Sequence, residues 1–210
     1  MSYIGKTPTP VPLTSSDITD GIISLPKLTD GTDGNIISYD ASGNPVAVAT
    51  GTDGQVLTST GAGSPPAFET LPTNTPAFSA KRTSTQAIAN NTMTTVLFDT
   101  EVFDSDGKYD PSTGKFTPTV VGKYFVQTNL ILGGLADNDY LYWLLKKNGS
   151  TFSYGQIFSG GSNAEIGSTI SGTIDLDADD DVRVDVYQGS GSSKNLPSDG
   201  CVFSAYKIIE

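Results

Sequence analysis

Apolar and polar residues alternate along several stretches in the second half of the chain. Across residues 182–187, valine occupies every second position and the residues between are polar or aromatic. A period of two predicts strands with one buried and one outward face. The pair Asn148-Gly149 favours a tight hairpin turn, so the strand that carries Trp143 is expected to fold back on residues 151–154. Six strands are predicted in all, over residues 94–99, 123–132, 140–145, 168–176, 182–187 and 202–209.

The first half of the chain has a different pattern, in which one short phrase occurs twice. Gly-Thr-Asp-Gly followed by a short apolar run begins at Gly31 and again at Gly51, 20 residues later. Each copy predicts a turn followed by a short strand. Residues 1–75 hold only 3 of the 19 aromatic residues, but 8 of the 12 prolines. This half therefore has too little bulky apolar surface to form a core from one chain.

We predict an all-β protein with three parts. An extended anchor covers residues 1–25, in which 7–14 favour a polyproline conformation and 17–25 form either a capped helical turn or a short strand. A shaft of short strands from three chains covers residues 26–75, with a flexible linker as the alternative. A sandwich domain covers residues 76–210.

Composition excludes several kinds of chemistry. The chain has no histidine and one cysteine, which rules out histidine-activated nucleophiles, imidazole zinc sites and an internal disulfide. Its net charge of −11 opposes binding to nucleic acid or anionic membranes. No apolar run follows the first residues as in a secretory signal, and no stretch is long enough to span a membrane. We expect no cofactor, no nucleic-acid partner, no membrane insertion and synthesis in a reducing cytoplasm.

Two groups of carboxylates are candidate sites. The acidic turn before residue 182 is interpreted as a solvated turn, with a calcium site at Asp177, Asp179 and Asp181 as the alternative. Asp137 and Asp139 have the residue type of a glycosidase pair, but we favour exposed, solubilising charges. Without histidine to activate it, Cys201 is expected to be a small buried hydrophobe. The chain is therefore not expected to be an enzyme.

Aromatic residues and loops are the remaining candidates for binding. Six aromatics could form a carbohydrate platform, although contacts with the core and with neighbouring subunits are favoured. A receptor is expected at polar, glycine-rich loops over residues 133–138 or 189–194. The six aromatics are Tyr124, Tyr140, Tyr142, Trp143, Tyr154 and Phe158.

The order of motifs after residue 76 resembles the jelly-roll domain of the C1q and tumour-necrosis-factor families. That family usually has glycine at the position of Asp179. The sequence departs from the family pattern there, so the resemblance does not fix the local backbone conformation. The resemblance implies a jelly-roll sandwich and a homotrimer formed through aromatic-rich faces. It is carried by residues 98–104, 107–111, 113–118, 122–126, 144–149, 176–182 and 203–208.

The first half resembles the N-terminal region of marine bacteriophage fibres, on the basis of residues 2–10, 13–18 and 54–65. Together the two resemblances imply a trimeric virion fibre assembled in a host cytoplasm. Residues 1–25 would dock on a virion protein, and the head would bind a host surface receptor. The alternatives are a capsid decoration protein, either a head fibre or a cement protein, and a bacterial C1q-like adhesin.

Overall fold

The structure, a computed structural model, describes residues 11–19, 22–23 and 30–208. The chain divides into two compact units, Met1–Leu71 and Pro72–Glu210. Most of the predicted anchor lies outside the described residues, and its described part contains a single 3-10 turn at Ser15–Asp17. No helix among the described residues has the length and apolar character needed to cross a membrane.

Short and long strands make up nearly all of the regular structure. In chain order they are β1 (Ile36–Tyr39), β2 (Pro45–Val48), β3 (Gln55–Thr58), β4 (Ala67–Thr70), β5 (Ala77–Lys81), β6 (Gln86–Ile88), β7 (Thr94–Thr95), β8 (Thr100–Asp104), β9 (Tyr109–Asp110), β10 (Lys115–Phe116), β11 (Gly122–Leu135), β12 (Tyr140–Lys147), β13 (Ser150–Phe158), β14 (Ala164–Leu176), β15 (Val182–Gly189), β16 (Lys194–Leu196) and β17 (Val202–Lys207).

Within residues 30–71 of the first unit, the strands form two hairpins, β1 with β2 and β3 with β4. Each begins with one copy of the repeated phrase, and both copies make the same turn. The backbone N–H of Asn35 donates to the carbonyl of Thr32 at 3.2 Å, and that of Gln55 donates to Thr52 at 3.1 Å. The sequence repeat is therefore a structural repeat, with one hairpin for each copy.

The second unit, which we call the head, is a sandwich of two antiparallel sheets. The first sheet has the order β14-β11-β17-β5-β8. The second has the order β13-β12-β15-β10-β9, and β7 also pairs with β15. Apart from the consecutive pairs β12 with β13 and β9 with β10, neighbours within each sheet are separated in sequence, as in a jelly roll. The predicted hairpin at Asn148-Gly149 joins β12 to β13, and both residues have positive φ, 49° and 79°.

Aromatic rings from both sheets meet in the core of the head. Phe78 of β5 lies between Tyr109 and Phe116 of the second sheet, with ring centroids 4.7 Å and 4.6 Å away. Phe203 of β17 contacts Phe78 edge-on at 4.9 Å. The Tyr109 hydroxyl, which is buried, donates to the carbonyl of Phe98 at 3.1 Å. The aromatic residues of the sequence thus hold the two sheets together.

The predicted strand over residues 94–99 is wrong after Thr95. The N–H of Val96 still donates to the carbonyl of Val184 at 2.9 Å, but Gln86 takes over on either side, since it donates to the carbonyl of Thr95 at 2.7 Å and accepts from the N–H of Leu97 at 3.0 Å. Val96 and Phe98 are still fully buried. The apolar alternation in this segment therefore reflects its burial, while the satisfied backbone groups explain why no strand ladder is needed.

Candidate functional site

Three loops leave the second sheet at one end. Tyr140, which begins β12, pairs with Phe158 at the end of β13 and with Gly189 at the end of β15. The loops over residues 136–139, 159–163 and 190–193 consequently start side by side. The first two are bonded to each other, since the N–H of Asn138 donates to the carbonyl of Ser159 at 2.9 Å. We call these the end loops.

The structure brings the two sequence-predicted binding loops together but shortens the first. Residues 133–135 belong to β11, which continues through a bulge to Leu135, so only residues 136–139 form a loop. The ammonium group of Lys194 donates a hydrogen bond to the carbonyl of Gly134, which connects the second loop to this strand. Asp139 accepts from the N–H of Ala136 at 2.7 Å, and Asp137 is exposed.

Five aromatic side chains form a continuous patch on the outward face of the second sheet, next to the end loops. Tyr140 lies 6.0 Å from Phe158 and 5.6 Å from Tyr142, measured between ring centroids. Tyr142 lies 6.4 Å from Tyr154 and 6.3 Å from Tyr187. We call these five residues the outer aromatic surface.

Strand alternation explains which aromatics reach this surface. Tyr140 and Tyr142 point outward from β12. The next residue, Trp143, points into the space between the two sheets and is 2% exposed. Tyr124 is also buried, and its hydroxyl donates to the carbonyl of Val120 at 2.6 Å. Two of the six predicted platform residues are therefore core residues, and the other four lie on one outward face. Tyr187 completes the group. It follows Arg183 and Asp185 in the outward series of β15, which could have indicated its position.

The other end of the same sheet face carries ion pairs. Asp185 pairs with Lys146 at 3.0 Å and with Arg183 at 3.1 Å, and it accepts from the Thr95 hydroxyl at 2.8 Å. Asp185 is buried although the alternation predicts an outward position, because β7 lies against β15 at this point. The outward face of the second sheet is thus aromatic near the end loops and charged at the opposite end.

The acidic turn makes its own pairs with cations. Asp180 lies 2.7 Å from the ammonium group of Lys147, which together with the Asn148 amide lowers the pKa of Asp180 to about 2. Asp181 lies 3.1 Å from the ammonium group of Lys115. Across the described ranges, no three acidic or cysteine side chains are grouped so that they could hold a metal ion. The calcium interpretation of Asp177, Asp179 and Asp181 stays a prediction.

The outward face of the first sheet has another composition. Phe125 of β11 and Tyr206 of β17 are neighbours, with ring centroids 5.5 Å apart. The next cross-strand row contains Gln127, Ser204 and Ser79, all uncharged and two of them small. Small neutral side chains allow another protein surface to approach a sheet closely, so this face fits a subunit contact better than the charged end of the second sheet.

Two polar groups that might suggest chemistry have structural partners. Arg82 is 2% exposed and donates to Gln86 at 2.8 Å and to the carbonyls of Leu97 and Ser84. Burial alone would raise the pKa of the Asp99 carboxyl, but hydrogen bonds from Ser84 and Thr83 outweigh it and hold that pKa at about 2. Both residues thereby fasten the segment between β5 and β8.

Cys201 is fully buried next to β11, as the sequence predicts for a small hydrophobe. Burial raises the pKa of its thiol, and its sulfur accepts from the N–H of Ile131 at 3.4 Å. A buried thiol with a raised pKa is a poor nucleophile.

Comparison with known proteins agrees with this geometry. The globular domain of zebrafish complement 1qA is 20% identical, with a TM-score of 0.52 over 63% of this chain and 96% of that one. Murine APRIL is 12% identical, with a TM-score of 0.51 over 63% of this chain and 98% of that one. At these identities the likeness shows the fold. No curated protein matches the chain significantly.

The family of the chain follows from the sequence of the head. Residues 77–208, more than half of the chain, match the C1q domain. They run from the first strand of the sandwich to just beyond the last, and at Asp179, where the sequence departs from the family's usual glycine, φ is 70°. The chain belongs to the C1q domain family.

Proposed function

We propose that the protein is a trimeric fibre of a bacteriophage virion, in which the C1q domain head binds a host-cell surface. The observation that carries this proposal is a pair of exposed apolar residues at equivalent places in the repeated hairpins. Ile37 in β1 and Leu57 in β3 occupy the same position of the repeat and are 64% and 45% exposed. A chain that repeats an exposed apolar position is suited to bury it against copies of itself.

The described part of the first unit offers these residues no interior. Val48 is its one buried apolar side chain within residues 30–71. Three chains side by side would cover Ile37 and Leu57 and would bring three heads together. Homologues in the C1q and TNF families are homotrimers, and the uncharged row of Gln127, Ser204 and Ser79 on the outward face of the first sheet supports the same arrangement for the head.

The virion assignment is supported by the resemblance of residues 2–10, 13–18 and 54–65 to phage fibres. In this proposal residues 1–25 dock on a virion protein, and the fibre is assembled in the host cytoplasm. The head binds without turnover, and three copies convert weak contacts into avidity.

The first experiment measures the oligomeric state of the full chain. Sedimentation equilibrium should give three times the mass of one chain. Replacing both repeat positions, Ile37→Glu with Leu57→Glu, should weaken the trimer, whereas Thr32→Glu with Thr52→Glu, at polar equivalent positions, should not. A monomeric wild-type chain would overturn the fibre proposal.

The second experiment locates the protein on particles. Gold-labelled antibodies against the head should decorate the tips of fibres on intact virions, and deletion of residues 1–25 should remove the label. Label spread over capsid faces would favour a decoration protein instead. Label on bacterial cells without particles would favour an adhesin.

A further inference from the structure

We propose that the outer aromatic surface is a binding site for an uncharged oligosaccharide. This inference rests on the proposed attachment function and names the class of receptor that the head would bind. Phe158 and Tyr154 are the most exposed of the five side chains, at 58% and 64%, while Tyr140, Tyr142 and Tyr187 are half-buried. Aromatic rings held on a sheet lose little freedom on binding, so the surface is ready for a ligand.

The rings are fixed in place by the strands beneath them. Tyr140 lies directly over Gly189, so closely that a Cβ added at Gly189 would be 2.2 Å from the ring. Tyr187 contacts both Tyr140 and Tyr142, at 6.2 Å and 6.3 Å between centroids. The glycine at the end of β15 therefore leaves room for one ring of the patch and sets its position.

Polar groups without charge surround the rings. Four of the five side chains carry hydroxyl groups, and Gln156, exposed on β13, lies opposite Tyr142. The Tyr187 hydroxyl is within 3.2 Å of the Asn91 amide oxygen. Sugar rings present C–H groups on their faces and hydroxyl groups on their rims. The C–H groups suit the negative faces of aromatic rings, and the hydroxyl groups suit phenol and amide partners.

The charge pattern favours a neutral ligand. The two cross-strand rows nearest the end loops, Phe158 with Tyr140 and Gln156 with Tyr142 and Tyr187, contain no ionisable carboxylate or amine. Asp185, in the next row, is already paired with Lys146 and Arg183. A net charge of −11 opposes anionic sugars, and no carboxylate is free on this patch to hold a cation.

The size of the patch favours a small ligand over a protein partner. Three neighbouring strands and four residues along each cover roughly 190 Å², from the usual strand spacing and rise. A stable protein interface takes about 800 Å² from each partner. Along the strands, ion pairs border the patch at one end and polar loops at the other. A short oligosaccharide matches these dimensions.

The test uses the full chain and a panel of uncharged trisaccharides built from glucose, galactose, mannose or N-acetylglucosamine, with sulfated versions beside them. Saturation-transfer NMR and titration calorimetry should show binding of at least one uncharged member and weaker binding of its sulfated version. The double variant Tyr154→Ala with Phe158→Ala should bind at least tenfold more weakly. Gly189→Ala, which displaces the Tyr140 ring without removing any aromatic group, should also reduce affinity.

Matched controls separate loss of the site from loss of the fold. Tyr39→Ala removes an equally exposed tyrosine of the first unit and should bind like the wild type. Fluorescence of Trp143, the one tryptophan in the chain, should show that each variant head is folded.

Several outcomes would overturn the inference. They are failure of every uncharged trisaccharide to bind, equal binding by the double variant, and loss of the trimer in that variant, which would make the patch a subunit contact. The particle-labelling experiment tests the fibre proposal separately from this inference. A saccharide-binding protein absent from virions would leave this site standing and reject the virion assignment.

Discussion

The two units of the chain treat apolar residues in opposite ways. The head encloses a core of buried residues in which Phe78 touches three other aromatic rings. The hairpins of the first unit keep Ile37 and Leu57 exposed at repeated positions. The head has the interior of an independent domain, whereas in the proposed fibre the hairpins bury these residues against partner chains. On that proposal, one chain separates the task of folding from the task of assembly.

Removing an apolar side chain should have very different effects in the two units. Phe78→Ala should destabilise the head by about 3–5 kcal/mol, because it deletes a fully buried ring and leaves a cavity. Ile37→Ala should leave the unfolding of the head unchanged. Urea titration followed by Trp143 fluorescence measures both. Equal midpoints for the two variants would abolish the contrast between the units.

A smaller effect is expected from adding a methyl group inside the head. Gly155→Ala would place a Cβ 2.9 Å from the indole of Trp143, so the core has to shift at a cost of about 1–3 kcal/mol. Gly160→Ala, where nothing lies within 4 Å, is the control. Thermal unfolding of the two variants should differ by several degrees. Identical melting would show that the interior around Trp143 is looser than the contacts indicate.

Acid should weaken the head through Asp99. Its pKa is about 2 in the folded head, below the value near 4 of an unfolded aspartate, so its contribution is complete above about pH 4. That contribution is lost as the pH falls from about 4 to 2. Asp99→Asn should cost about 1 kcal/mol at pH 6 after allowance for solvent screening, and almost nothing at pH 2. Urea midpoints at both values test this, with Asp40→Asn in the first unit as a variant that leaves the head unaffected.

The smallest effect concerns the backbone at Asp179. Its φ of 70° lies in the left-handed region, which glycine adopts without strain. Asp179→Gly should therefore be neutral or stabilise the head by about 0.5 kcal/mol, whereas Asp179→Ala should destabilise it by about 1 kcal/mol. Melting temperatures of the two variants provide the measurement. A strongly destabilised glycine variant would mean that the aspartate side chain has a role of its own.

The sequence predicts the elements that are determined by residues close to one another along the chain. The Asn148-Gly149 turn, the outward position of Tyr187 and the repeated turns at Asn35 and Gln55 all follow from residue type and period. Other features depend on residues far away in sequence. Strand alternation cannot show that β7 covers Asp185, or that Gln86 satisfies the backbone beyond Thr95.

The same limit applies to the candidate site. Alternation separates Tyr140 and Tyr142 from the buried Trp143, but only the register of β12 with β13 and β15 reveals a single patch. That register also brings Gly189 beneath Tyr140. A glycine that makes room for a ring on another strand has no signal in the sequence, because its partner lies almost 50 residues away.

The repeated hairpin has a consequence for how such a protein can evolve. Because both hairpins start with the same Gly-Thr-Asp-Gly phrase, duplication or loss of one 20-residue period inserts or removes a whole folded module. The strands on either side of the change keep their pairing. The number of such modules is therefore adjustable in whole hairpins, independently of the sandwich that follows.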